Sequence, residues 1–80
     1  GNGADKQFVL KKKDIVHITN SVNIGLYTLE ESQKTGSVRY FTDWFVVVNL
    51  KYKECPSDKE FNYKLVKRER HNVKFIRRNI

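Results

Sequence analysis

Few side chains in this 80-residue chain are suited to bond-making chemistry: one cysteine, two histidines and nine carboxylates, against 16 lysines and arginines. A structural metal site takes three or four soft or imidazole ligands at short spacings such as C-x-x-C or H-x-x-x-H. Cys55, His17 and His71 form no such pair. His17 lies between Val16 and Ile18 in an alternating stretch, as an exposed strand residue would, and His71 falls in turn-like sequence. Nucleophilic catalysis needs a base beside the nucleophile. There is no G-x-S-x-G elbow, and Cys55 precedes Pro56 with neither histidine near it in sequence. Lys53 and Lys59 flank Cys55 and would favour a thiolate, so a reactive thiol is the minor alternative to a half-buried turn cysteine. Glu30 and Glu31 are adjacent, which in a strand sends them to opposite faces. Gly1, Gly3, Gly25 and Gly36 make no phosphate loop. The expectation is therefore no enzyme, no cofactor and no metal site.

Positive charge is what the chain has in excess, and it is unevenly placed. Residues 1–50 carry six Lys/Arg and five Asp/Glu, whereas residues 51–80 carry ten and four, so +6 of the net +7 lies in the last 30 residues. Such asymmetry suits contact with an anionic macromolecule, although it also serves solubility alone.

The elements that must position these charges read as strands. Val, Ile and Thr number 9, 5 and 4, and ten residues are aromatic, against one Ala, five Leu and no Met. Those types fit a pleated, half-buried surface better than a helix. The strongest element is 44–53, where Trp44, Val46, Val48, Leu50 and Tyr52 alternate with Phe45, Val47, Asn49, Lys51 and Lys53. Val38 and Tyr40 alternate with Ser37 and Arg39 just before it, and Thr42-Asp43 suits a tight turn. Upstream, 7–10 and 14–19 are short apolar stretches separated by Lys11-Lys12-Lys13, and Val22, Ile24 and Leu26 alternate across 22–27. A single helical turn fits near 28–35, with Gly36 expected to close the loop at positive φ. For 57–70 two readings compete. Ser57 to Glu60 matches a capping box and would begin a helix in an α+β fold. Two strands use more of the residues, with Phe61, Tyr63, Leu65, Val73 and Phe75 facing in and 68–72 as the turn. The chain is thus expected to be mainly β: an antiparallel meander of about 6–7 short strands forming a sandwich or open barrel. No run is long and apolar enough for a transmembrane helix. Residues 1–6 read as a leader or linker and 7–80 as one domain.

This arrangement would place Lys51, Lys53, Lys64, Lys74 and Arg78 on one outer face, interleaved with Phe45, Val47, Val66 and Ile76. The function expected is a non-catalytic module whose basic C-terminal sheet face contacts an anionic partner: nucleic-acid backbone, an acidic protein or lipid headgroups. Because the strand assignment puts most aromatics in the core, base stacking and sequence-specific nucleic-acid readout are disfavoured. The alternative is an exported or envelope-anchored, lipoprotein-like interaction domain whose charge only maintains solubility. The opening residues, without Met or a signal sequence, leave a cytoplasmic chain and an exported, processed one both open, and oligomeric state is not legible.

Overall fold

The computed structural model describes residues 9–53 and 60–79. The 1–6 leader, Cys55, and the Ser57–Lys59 part of the capping box lie outside that range. The described residues form seven strands: β1 (Ile15–Ile18), β2 (Asn23–Ile24), β3 (Tyr27–Thr28), β4 (Thr35–Phe41), β5 (Phe45–Tyr52), β6 (Asn62–Glu69) and β7 (Val73–Arg77), with 3-10 turns at Glu31–Gln33 and Arg70–Asn72. Mainly β is correct, and over 62–69 the strand reading prevails.

One antiparallel sheet runs in the order β6-β5-β4-β1-β7, and β2-β3 is a separate hairpin. The sequence neighbours β6 and β7 are therefore its two edges. A flat five-stranded sheet would hold its edges about 19 Å apart, whereas the three residues between Glu69 and Val73 span at most about 14 Å. The sheet must curl, and the turn closing the gap is pinned by the Arg70 amide donating to the Trp44 carbonyl at 2.7 Å.

The inside of the curl is the core. Val16 and Ile18 of β1, Val38 of β4, Val46, Val48, Leu50 and Tyr52 of β5, Val66 of β6 and Val73 of β7 are buried together. Leu10, Val22 and Leu29 are buried with them, and Ile24 and Tyr27 of the β2-β3 hairpin pack against the cluster. The N-terminal segments thus divide their work. β1 joins the sheet beside β4 and β7, while the hairpin and its flanks help fill the inner side, and among the described residues no strand packs on the outer side of β5 and β6.

Several side chains point opposite to the expectation. In β6, Val66 pairs with Val48 and is 5% exposed, whereas Tyr63 and Leu65, and Phe61 just before the strand, are exposed, Tyr63 at 65%. Alternation misleads here because β6 is an edge strand with apolar residues on both sides. Its inward positions beyond Val66 are Asn62, Lys64 and Arg68, whose polar ends reach the rim. Arg68 settles there by donating to Asn20 Oδ1 and the Ser21 carbonyl.

In β4 a bulge at Arg39 breaks the alternation. Val38 pairs with Val48, but Tyr40 pairs with Val47 and Phe41 with Val46, so Tyr40 faces outward. Trp44, expected inside, is 76% exposed because it belongs to the turn. There Thr42 Oγ1 accepts from the Trp44 and Phe45 amides at 3.2 and 3.3 Å. Leu26 sits at the exposed hairpin tip beside Gly25, whose φ of 61° is the positive value expected instead at Gly36. Gly36 lies within β4, and it must be glycine for another reason. A Cβ there would collide with the Asn49 carbonyl oxygen on β5.

Candidate anion-binding sheet face

The outer face is most densely populated where β5 and β6 pair. Registers Phe45↔Glu69, Val47↔Lys67, Asn49↔Leu65 and Lys51↔Tyr63 put all eight side chains on this side, since directly opposed residues in an antiparallel pair share a face. Tyr40 joins from β4 through its pairing with Val47.

The cations on this face are held rather than free-swinging. Lys51 Nζ and Lys53 Nζ lie 4.3 and 4.6 Å from the centroid of the same Phe61 ring, and Lys67 Nζ lies 4.1 Å from that of Phe45. An ammonium over a ring face is drawn to the ring's negative quadrupole. The Phe45 ring in turn meets Tyr40, centroids 6.3 Å apart at 47°. None of the three lysines forms an ion pair with a carboxylate among the described residues. Two like charges gathered at one ring raise the local potential, which an anion would lower.

The end of β5 is anchored from below. The Lys53 carbonyl accepts from Tyr27 Oη at 3.1 Å and Gln33 Nε2 at 2.9 Å. Gln33 is itself fixed by the capping box of the 3-10 turn, in which its side chain accepts from the Glu30 amide. The loop expected to hold a single helical turn does so, and it fixes the backbone from which Lys53 projects.

Of the residues expected to share one face, the structure brings together Lys51, Lys53, Phe45 and Val47. Val66 is in the core, and Lys64, paired with Leu50, points to the inner rim. Lys74 is on β7 at the opposite edge, paired with His17. Ile76 is the extra residue of a second bulge, between Val16↔Phe75 and Ile15↔Arg77. Arg78 instead binds the segment that precedes β1: its Nε lies 3.4 Å from Oδ1 of the buried Asp14, and Nη2 donates to the Val9 carbonyl. In exchange the face gains Lys67, Tyr40, Phe61, Tyr63 and Leu65. Lys67 and Leu65 carry the clue in their spacing of four and two residues from Tyr63. The inversion of β6 that exposes them is not written in local alternation.

A second polar cluster sits where β1 meets the 31–35 segment. Lys34 is 3% exposed, its Nζ donating to the Asn20 carbonyl at 3.1 Å and pairing with Glu31 Oε2 at 2.8 Å. Glu31 Oε1 meets His17 Nε2 at 3.1 Å, and His17 Nδ1 meets Thr35 Oγ1 at 2.8 Å. The Lys34 hydrogen bond, seconded by His17, holds the Glu31 carboxyl below its ordinary value of 4.5. The cluster explains how a lysine is buried: its charge is paired and hydrogen-bonded. Among the described residues no three His, Cys, Asp or Glu side chains gather as metal ligands.

Comparison with protein-family models, curated proteins and solved structures finds no match to this chain.

Proposed function

We propose that the chain is a non-catalytic binding module that holds a polyanion on the outer face of β5 and β6. The observation carrying this reading is the convergence of the Lys51 and Lys53 ammoniums on the Phe61 ring without a described carboxylate to neutralise them. Lys67 extends the positive surface about 13 Å along the strands, as a chain of charges rather than a single ion would use. Glu69 at the far end is the acidic exception on these strands' outer side. The five-cation face expected from sequence becomes a narrower one of three lysines with exposed rings among them.

The test is a titration of labelled heparin, a polyanion without bases, into the protein at two salt concentrations. Binding at about 50 mM salt that weakens with a log-log slope near −2 to −3 matches three lysines releasing counterions. Lys51→Gln, Lys53→Gln and Lys67→Gln should each weaken it, while Lys64→Gln on the inner rim and Lys74→Gln on the far edge should not. Absence of heparin binding at low salt would favour the alternative, a protein-interaction domain whose charge only keeps it in solution.

A further inference from the structure

We infer that the polyanion suited to this face is single-stranded nucleic acid, with a base stacked on the Tyr63 ring and its neighbouring phosphates at Lys51 and Lys53. The inference rests on the polyanion reading and goes beyond it, because it assigns a role to the rings as well as to the charges.

The first support is placement. Tyr63 is 65% exposed, lies directly across from Lys51, and is one outward position from Phe61, the ring over which Lys51 and Lys53 are held. The second is division of labour among the rings. Phe61 and Phe45 have lysine ammoniums over them, and Tyr40 leans on Phe45. Among the described residues no cation or second ring covers Tyr63, which leaves it to receive a flat ligand. Leu65, the next outward residue and 52% exposed, extends the apolar floor. A base offers a π-face for the tyrosine and a phosphate on each side for the lysines, so both halves of the site are satisfied by one polymer. An acidic peptide would meet the charges but offers the ring nothing repeating. A duplex keeps its bases stacked on each other, so it would meet the lysines alone.

The contacts imply recognition without sequence preference, because every base has a π-face and the floor presents no ordered row of donors and acceptors. Phosphate contacts by three lysines give a salt slope near −2 for a single strand.

The experiment is fluorescence anisotropy with a labelled oligothymidylate, an abasic strand of the same length, and heparin, on the wild type and on Tyr63→Leu, which keeps an apolar side chain but removes the ring. Circular dichroism of the variant establishes that it is folded, and Leu26→Ser at the hairpin tip is the control away from the face. The expected result is that oligothymidylate binds wild type about 5- to 100-fold more tightly than the abasic strand, and that Tyr63→Leu removes most of this difference while heparin binding stays. Equal binding of thymidylate and abasic strand would overturn the stacking inference and leave the polyanion reading standing. Failure of all three ligands to bind would overturn both.

Discussion

Replacing Val66 with alanine and Tyr63 with threonine tests the orientation of β6, on which every statement about the outer face depends. Val66 is packed against the core opposite Val48 with 5% of its surface exposed. Truncation removes two buried carbons at about 0.8 kcal/mol each and leaves a small cavity, for a loss of about 2 kcal/mol. In a chain of this size that lowers the melting temperature by about 8–16 °C. Tyr63 is mostly in water, and threonine keeps the strand preference, so Tyr63→Thr should change stability by no more than about 0.5 kcal/mol. Urea unfolding followed by circular dichroism, with both variants beside the wild type, measures the two values. The reverse ranking, with Tyr63→Thr costly and Val66→Ala neutral, would mean that β6 faces the other way and would refute the reasoning.

Three further outcomes follow from the same packing. Gly36→Ala should destabilise by about 1–3 kcal/mol, because its Cβ must displace the Asn49 carbonyl and with it the β4-β5 ladder; an unchanged urea midpoint would contradict that close approach. Thr42→Val should cost about 1 kcal/mol in the same assay, since the hydroxyl accepts the Trp44 and Phe45 amides that shape the turn; no loss would show that solvent replaces it. The Glu31 carboxyl sits below its ordinary value of 4.5 through Lys34 and then His17, so the stability it contributes is complete above that value and is lost as pH falls through the lower folded value. Acid unfolding of Glu31→Gln should therefore show a shallower loss below pH 4.5 than the wild type, and parallel curves would argue against the Lys34–Glu31–His17 cluster.

How far the sequence disclosed this molecule depends on where each strand lies. β5 sits between two strands with one face covered, so its alternation is strict, and Val46, Val48, Leu50 and Tyr52 point inward as their spacing predicts. Edge position removes that constraint from β6, where one buried residue, Val66, is enough to fix orientation and the more numerous apolar residues are outside. Bulges do the same to Tyr40 and Ile76, because one extra residue reverses every side chain after it and a bulge leaves no mark in composition. The candidate site was accordingly half legible. Lys51, Phe45 and Val47 lie on the strict strand and Lys53 directly follows it, while Lys67, Tyr63 and Leu65 needed the pairing register. Phe61 and Tyr63, which the periodicity placed in the core, are on the surface beside lysines, and that placement is the premise of the proposal of base stacking.

A single titration addresses the central claim most directly: amide and side-chain chemical shifts of isotope-labelled protein followed as an unlabelled oligothymidylate is added. The account expects the largest changes at Lys51, Lys53, Tyr63, Leu65 and Lys67, with Val22, Leu26 and Leu29 on the covering side unmoved. Changes concentrated on the β2-β3 hairpin, or none at any oligonucleotide concentration, would contradict it.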